Sequence, residues 1–251
     1  MRTFKKDSLD VQVYEDRQTM GREAAALVAG RIRELLAAQP EVNIIFAAAP
    51  SQNEFLATLA ETVLDWGRVN AFHMDEYIGL DPSAPQLFGA FLDRAIFGKV
   101  PFRAVHYING NAPDIAAECR RYRALLEQHP ADIACMGIGE NGHLAFNDPP
   151  VADFNDRYLV KTVGLEEACR AQQVNDGCFA HISDVPAYAI TLTIPALMAA
   201  KYIYCMVPGP TKAKAIKDTL TAEISEKVPS TALRRHKQAV LFIDAKSGSL
   251  L

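Results

Sequence analysis

The chain has 251 residues, of which 49% are hydrophobic and 22% charged, and its formal net charge is -4. These proportions are typical of a folded globular protein and exclude a disordered or low-complexity chain. The acidic balance disfavours nucleic acid as a partner, and no apolar run reaches the about 20 residues that a membrane helix needs. A small-molecule ligand is therefore the expected partner.

The N-terminus and the cysteines indicate the compartment. Two early lysines are not followed by an apolar core, so the pattern of a secretory signal is absent. Five cysteines are scattered without C-x-x-C spacing, as is usual for reduced thiols. We therefore predict a cytoplasmic protein. No linker divides the chain, and residues 1–251 are predicted to form a single domain.

Predicted helices and strands alternate along the chain. Residues 17–38 carry apolar side chains at helical spacing, and residues 42–49 form a continuous apolar run of strand length. The next expected elements are a helix over about 52–65, a strand over 68–74, a helix over 83–97 with Ser83 as its N-cap, a strand over 105–109, a helix over about 111–126 and strands over 132–138, 188–193, 201–207 and 239–243. This alternation predicts an α/β fold with a largely parallel, doubly wound sheet and helices on both faces.

Residues 150–187 differ from the rest of the chain. Their charges are mixed and their periodicity is weak, and they follow the glycine-rich stretch 137–150, GIGENGHLAFNDPP. A long segment of this kind beside such a loop is typical of a flap over a binding site. We therefore expect 150–187 to form a cap or lid.

Three polar clusters follow predicted strands, at 51–53, 75–77 and 141–148. Because ligands of open α/β sheets bind outside the carboxyl ends of the strands, these clusters are expected to share one rim of the sheet. Their common location is the first argument for a functional site.

The acidic and histidine side chains of these clusters each allow two interpretations. Asp75 and Glu76 either form a helix cap or a solvated turn, or they supply a partly desolvated carboxylate whose raised pKa suits it to act as a general base. His143 bonds a loop carbonyl, or it moves a proton near neutral pH. Asp148 caps a turn, or it orients the imidazole.

Neither a nucleotide nor a metal is expected. The stretch GIGENG fits G-x-G-x-x-G, but Pro149 and Pro150 prevent the helix that a dinucleotide site requires. The six histidines lack the spacing of metal ligands. The sequence therefore predicts no cofactor.

Two segments carry a family resemblance. Residues 72–80, FHMDEYIGL, resemble the MDEY(V/I)GL signature of glucosamine-6-phosphate deaminases, and residues 137–150 resemble their G-x-G-x-D-G-H-(I/L)-A-F-N-E-P loop. Similar landmarks extend the match from about residue 17 to about residue 244. The resemblance implies a Rossmann-like fold and an enzyme of amino-sugar and carbohydrate metabolism. Its expected reaction is aldose-ketose isomerisation of an amino-sugar phosphate with loss of ammonia.

The resemblance also implies residue roles. Asp75 matches the carboxylate that moves a proton between C2 and C1 of the sugar. His143 matches the residue that opens the pyranose ring, and Asn141 and Asp148 occupy the positions of its assisting carboxylates. Lys212 matches a phosphate-binding lysine. The further expected substrate contacts are Ser51, Gln52, Glu76 and Gly142.

Four features depart from the family pattern. Asn141 stands where the family has an acid, and Asp148 is one methylene shorter than the family's glutamate. The phosphate loop rich in glycine and threonine is replaced by 47–53, AAAPSQN, and a phosphate-binding arginine falls at Gly177. Because a bidentate phosphate donor is lost, the anionic group of the ligand stays open.

Two alternative functions follow from these departures. One is a non-catalytic or diverged sugar-binding homologue, which Asn141 and the altered loop at 47–53 motivate. The other is a hydrolase like the related 6-phosphogluconolactonases, which share the histidine loop. The expected partner is a small-molecule sugar phosphate, and the oligomeric state stays open, with a homo-oligomer as one option.

Overall fold

Strands and helices alternate through most of the chain in the computed structural model, which describes residues 1–251. The strands are β1 (Arg2–Lys6), β2 (Leu9–Tyr14), β3 (Val42–Phe46), β4 (Val69–His73), β5 (Asp75–Tyr77), β6 (Ala104–His106), β7 (Ile133–Met136), β8 (Val160–Gly164), β9 (Tyr188–Leu192), β10 (Tyr202–Val207) and β11 (Ala239–Asp244). The helices are α1 (Arg17–Ala38), α2 (Asn53–Ala60), α3 (Phe88–Leu92), α4 (Ile115–Gln128), α5 (Glu167–Asn175), α6 (Ile194–Met198) and α7 (Ala213–Thr221). None of these helices has both the length and the apolarity needed to span a membrane.

Eight strands form the main sheet, in the order β1-β2-β11-β10-β7-β3-β4-β6. Every neighbouring pair from β2 to β6 is parallel, and only the β1–β2 hairpin is antiparallel. The predicted α/β class with a largely parallel sheet is therefore confirmed. After β3, the strands β4 and β6 are added on one side of β3, and β7, β10 and β11 are added on its other side. The β3–β7 junction is thus a topological switch point, where a ligand crevice is expected.

Both faces of the main sheet are covered by helices. Ile44 and Phe46 of β3 belong to the apolar cluster that includes buried residues of α1 and α2. Ile45, between them, belongs to a second cluster with residues of α4 and α7. Because successive side chains of a strand point to opposite faces, a strand buried on both sides needs a continuous apolar run. This explains the run that predicts β3.

The longest helix follows its sequence signals closely. Asp16 caps α1 by accepting a hydrogen bond from the Thr19 N–H at 2.7 Å. The buried residues of α1, which include Met20, Ala24 and Val28, recur at the helical spacing that predicts the element. The predicted and observed bounds are therefore the same.

A second, smaller sheet has the antiparallel order β5-β9-β8. The predicted strand at 188–193 lies in this sheet as β9, and residues 75–77 form its edge strand β5 instead of a turn. The chain leaves the main sheet at Met74, whose carbonyl accepts a hydrogen bond from the Leu192 N–H at 2.8 Å. The polar cluster at 75–77 is thereby fixed at the rim of the main sheet.

The prediction that Ser83 caps a helix is wrong. The helix α3 begins five residues later, at Phe88, and Ser83 donates its hydroxyl hydrogen to Asp81. The Glu76 carboxylate accepts hydrogen bonds from the backbone N–H groups of Phe88 and Gly89, at 3.1 and 2.9 Å. A side chain distant in sequence therefore satisfies the start of α3, which local sequence could not indicate.

Two other segments differ from their expected form. The helix expected at 52–65 is a 3-10 turn, Pro50–Gln52, followed by α2, which ends at Ala60. The segment 150–187 is not irregular throughout, because it contains β8 and α5. It also contributes buried residues to the apolar clusters, among them Val160, Leu165 and Phe179, so it is partly a core element.

Candidate active site

A cavity of about 430 Å³ opens at the carboxyl ends of the central strands. The residues directly after β3 and β7 line it, at 47–51 and 137–139, as do Asp75 and the turn after β10 at 208–212. It therefore lies at the switch point of the sheet. Four predicted site residues line it together, namely Ser51, Asp75, His143 and Lys212.

The imidazole of His143 is held from one side. Its Nδ1 lies 2.7 Å from Asn141 Oδ1 and 3.1 Å from Asp148 Oδ1. The same Asn141 oxygen also accepts a hydrogen bond from the His143 backbone N–H. Because the amide and carboxylate oxygens accept, Nδ1 carries the proton, and Nε2 is left as the acceptor toward the cavity.

A carboxylate therefore stands beside His143 although Asn141 is not an acid. Asp148 is fully buried, and its Oδ1 accepts a hydrogen bond from Asn141 Nδ2 at 2.7 Å. Burial opposes ionisation of Asp148, but the hydrogen bond and charge of His143, with the hydrogen bond from Asn141 and the adjacent Cys169 thiol, hold its pKa below the usual value. Asp148 supplies the negative charge and Asn141 supplies the orientation.

Two glycines of this loop are required by the position of the imidazole. A Cβ at Gly139 would lie 2.1 to 2.3 Å from three atoms of the His143 ring, so any side chain there would displace it. Gly142 has a φ of 85°, in the left-handed region that favours glycine. The glycine spacing of the loop thus serves the histidine rather than a nucleotide.

Asp75 reaches the cavity from the second sheet and is almost fully buried. Burial, and then the charge of Glu76, raise the pKa of Asp75 well above its ordinary value. Its partner across the sheet, Thr191, accepts a hydrogen bond from the Phe146 N–H at 3.1 Å. Thr191 therefore connects the strand of Asp75 to the loop of His143.

Three expected substrate contacts do not line the cavity. Glu76 accepts hydrogen bonds from the N–H groups of Tyr77, Phe88 and Gly89, and burial raises its pKa to about 7. Gln52 donates from Nε2 to Ser51 Oγ and to a backbone carbonyl of β10. The carbonyl of Gly142 accepts from the N–H of Ser230. These side chains and backbone groups are used within the protein, so they support the site instead of contacting a ligand.

The part of the cavity that Lys212 lines, here called the anion end, holds an ammonium group. Lys212 is 5% exposed and ends the 3-10 turn Pro210–Lys212. Burial lowers the pKa of Lys212, and the charges of Asp176 and Glu140 act in the opposite direction. Neither carboxylate forms an ion pair with it, so its charge is available to an anion.

Arginine contributes less than expected at this end. Arg17 lines the cavity, but it pairs with Glu54 at 2.7 Å and donates to the Pro50 carbonyl at 2.9 Å. Gly177, where the family's arginine would fall, has a φ of 74° and no side chain. Position 177 therefore supplies no guanidinium, but Arg94 also lines the cavity and donates to the Pro85 carbonyl at 2.7 Å.

The helix α5 provides residues that sequence reasoning did not select. Gln172, Gln173 and Asp176 line the cavity from this helix. Gln172 accepts a hydrogen bond from the Glu140 N–H at 2.7 Å, which joins α5 to the histidine loop. The cap segment expected at 150–187 thus borders the cavity. Its sequence signal was only the weak periodicity of the whole segment, which selects no individual residue.

Comparisons with known proteins agree with this architecture. The family model described as glucosamine-6-phosphate isomerases/6-phosphogluconolactonase matches residues 15–242. A glucosamine-6-phosphate deaminase from Streptococcus sanguinis is 36% identical over 214 residues, covering 85% of this chain and 89% of that protein. One from Lactobacillus delbrueckii subsp. bulgaricus is 32% identical over 243 residues, covering 97% of this chain and 100% of that protein.

Solved structures show the same relationship. A monomeric glucosamine-6-phosphate deaminase superposes with a TM-score of 0.87 at 29% identity, over 96% of this chain and 99% of that one. A 6-phosphogluconolactonase from Thermotoga maritima superposes with a TM-score of 0.77 at 20% identity, over 94% and 99%, which shows a shared fold. On the extent of these matches, the chain belongs to the family of glucosamine-6-phosphate isomerases and 6-phosphogluconolactonases.

Proposed function

We propose that the protein is an aldose-ketose isomerase and deaminase of the glucosamine-6-phosphate deaminase type. One observation carries this proposal: a carboxylate, Asp75, an oriented imidazole, His143, and the ammonium of Lys212 line one cavity. The substrate is an amino-sugar phosphate, glucosamine 6-phosphate or a close analogue. The products are the ketose phosphate and ammonia.

Ring opening is the task of His143. Its unprotonated Nε2 takes the proton of the anomeric hydroxyl, and the resulting imidazolium returns a proton to the ring oxygen as the C1–O bond of the ring breaks. Asp148, at 3.1 Å from Nδ1, stabilises the imidazolium by charge. Asn141 keeps the ring plane fixed through its 2.7 Å contact with the same nitrogen.

Isomerisation is the task of Asp75. Its carboxylate removes the proton from C2 of the open-chain sugar while the aldehyde oxygen takes a proton from solvent, which gives an enediol-type enolamine. Asp75 then delivers its proton to C1 while the amine loses an N–H proton to solvent. The amine-bearing C2 then becomes an imine, and water hydrolyses this imine to the ketone with release of ammonia. A carboxylate of raised pKa suits both removal of the C2 proton and its delivery to C1, because it binds the proton and can release it again.

Recognition of the phosphate is the task of Lys212 and Ser51, which line the same cavity. The Lys212 ammonium has no acidic partner, so a bound phosphate would complete its electrostatic environment. Gln52 fixes Ser51 through a 3.0 Å hydrogen bond and so acts behind the site. The α5 segment acts as a lid in this proposal, and the five free cysteines fit a reducing compartment such as the cytoplasm.

The test is to incubate the purified protein with glucosamine 6-phosphate and with galactosamine 6-phosphate and to assay ammonia and ketose. Equimolar release of both products from one substrate is the expected result, and unphosphorylated glucosamine is the control. Calorimetric binding without turnover of any hexosamine phosphate would establish the sugar-binding alternative instead. Hydrolysis of 6-phosphogluconolactone that is lost in His143→Ala and kept in Asp75→Asn would establish the hydrolase.

A further inference from the structure

His73 is a buried histidine that the mechanism above does not use. It ends β4, two residues before Asp75, where the chain passes from the main sheet to the second sheet. It is fully buried and is not among the residues that line the cavity. It therefore does not border the proposed substrate site, and its hydrogen bonds are made within the protein.

Both ring nitrogens of His73 are occupied by backbone groups. Nδ1 lies 2.9 Å from the carbonyl oxygen of Asp75, and Nε2 lies 2.8 Å from the backbone nitrogen of Ile108. A carbonyl only accepts and a backbone N–H only donates, so Nδ1 carries the proton and Nε2 is the acceptor. The neighbouring groups thus select one neutral tautomer.

The backbone of His73 is fixed as well. The Tyr122 hydroxyl accepts a hydrogen bond from the His73 N–H at 3.0 Å and donates to the His73 carbonyl at 2.8 Å. Burial lowers the pKa of His73 to about 4, so the ring is uncharged at neutral pH. A neutral ring is therefore bonded to the Ile108 N–H and to the main chain of Asp75, while Tyr122 of α4 holds the backbone of His73.

We propose that His73 is a positioning residue for the isomerisation, because its Nδ1–H holds the Asp75 main chain where the carboxylate reaches the substrate carbon. This inference rests on the proposed function of Asp75. Proton transfer from carbon requires a base placed within a fraction of an ångström, and β5 is a three-residue edge strand that cannot supply such rigidity alone. His73 supplies it from the neighbouring sheet.

Two substitutions separate the two hydrogen bonds of the ring. In His73→Asn the amide stands at the position of Nδ1 and still donates to the Asp75 carbonyl, but it does not reach Ile108. In His73→Gln the amide stands at the position of Nε2 and still accepts from the Ile108 N–H, but it does not donate to Asp75. Positioning of Asp75 therefore predicts that the asparagine variant keeps more activity than the glutamine variant.

The expected kcat of His73→Gln is lower by about ten- to a hundredfold, with KM unchanged. With substrate deuterated at C2, the isotope effect on kcat should be larger in this variant than in the wild type, because removal of the C2 proton becomes the slow step. His236→Gln is the matched control, since His236 also bridges two backbone groups, the Ala200 carbonyl and the Gln238 N–H. It should lower Tm and leave kcat and the isotope effect unchanged.

Equal kcat losses in the two His73 variants, or an unchanged isotope effect, would overturn the inference. A readout that needs no activity is the ¹⁵N NMR spectrum of the His73 ring in the wild type. A protonated Nδ1 and an unprotonated Nε2 at neutral pH support the proposal, and the other tautomer or a doubly protonated ring overturns it, even if the variants fail to fold. Absence of turnover in the wild type would instead refute the proposed function.

Discussion

The anion end of the cavity differs in structure from the part lined by Asp75 and His143, here called the reacting end. At the reacting end, His143 is held by two side chains within 3.1 Å, and Asp75 lies on a strand paired with β9. At the anion end, the Lys212 ammonium has no acidic partner, and the nearby Arg17 is paired with Glu54. The side chains of the reacting end are held by protein partners without a ligand, whereas the Lys212 ammonium of the anion end would gain its partner from a bound anion.

This difference follows from what each end must do. Proton transfer requires groups that are already in place, because reorganisation during the reaction raises the barrier. Anion binding requires only a favourable potential and enough donors, so it tolerates the absence of an arginine at position 177 at some loss of affinity. Departures from the family pattern occur in both parts, with Asn141 and Asp148 beside His143 and with Gly177 and the loop 47–53 on the side of the anion.

The largest effect is expected from Asp75→Asn, which removes the base and keeps the shape. Because an amide cannot accept the C2 proton, kcat should fall by about a thousandfold with little change in KM. Since burial disfavours the charged carboxylate, Tm should not fall. Ketose formation and differential scanning calorimetry measure both effects. A variant that keeps most of its kcat would show that the reacting end has been assigned wrongly.

At the anion end, Lys212→Met should raise KM for the sugar phosphate by about ten- to a hundredfold, because a hydrogen bond to a charged group is lost. Lys212→Arg keeps the charge and is the matched control, with a smaller rise. Initial rates at varied substrate concentration give KM. If the main loss is in kcat instead, Lys212 belongs to the reacting end and the contrast between the two ends disappears.

The pH dependence tests the electrostatics of Asp75. A base acts only when deprotonated, and burial and the Glu76 charge raise its pKa, so kcat should fall as pH is lowered through a range above that of an ordinary carboxylate. At pH values below the pKa of Asp75, kcat should fall by about tenfold for each pH unit. In Glu76→Gln the neighbouring charge is absent, so the limb should move to lower pH. A pH–kcat profile in which Glu76→Gln moves the limb upward would contradict this explanation.

Asn141→Asp tests whether Asp148 alone provides the charge beside His143. A second carboxylate at 2.7 Å from Nδ1 would stabilise the imidazolium, so the limb of the pH–rate profile that reports on it should move up by about one unit. Asn141→Ala removes the orienting oxygen without adding charge, and it should lower kcat with a smaller shift. An unmoved limb in the aspartate variant would mean that His143 does not change its charge in the rate-limiting step.

The smallest effect is expected from Asp176→Asn on α5. Removing a negative charge near Lys212 should lower KM for a sugar phosphate by only about threefold, because Asp176 is partly exposed and its charge is screened by solvent and salt. The effect should shrink at high ionic strength and be absent for an uncharged sugar. A rise in KM would show that Asp176 binds the substrate directly and that the anion end is more complete than described.

Much of the fold could be predicted because its signals are local. The buried strands of the main sheet are continuous apolar runs, and α1 carries both its cap and its apolar spacing within its own sequence. The second sheet could not be predicted. The segments 75–77 and 188–192 pair across more than a hundred residues, and neither one alone indicates its partner.

The candidate site shows the same division. The loops that carry Asp75, His143 and Lys212 follow strands or lie at their ends, so their common rim could be inferred from topology. The side chains of α5 could not, because a polar helix that borders a cavity has no pattern different from a solvent-facing one. The placement of Glu76 at the start of α3 was missed for a related reason, since its partners lie 12 and 13 residues away.

The sequence by itself therefore determined the fold class and the family and predicted the reacting groups, because apolar periodicity and short motifs are properties of contiguous residues. Only the tertiary structure decided which groups face the ligand. It showed that Asp148 supplies the charge that Asn141 lacks, that His73 is bonded to the main chain of Asp75, and that the Lys212 ammonium has no acidic partner. Burial and hydrogen-bond partners depend on segments that meet only on folding, and they set the charge and position of each group.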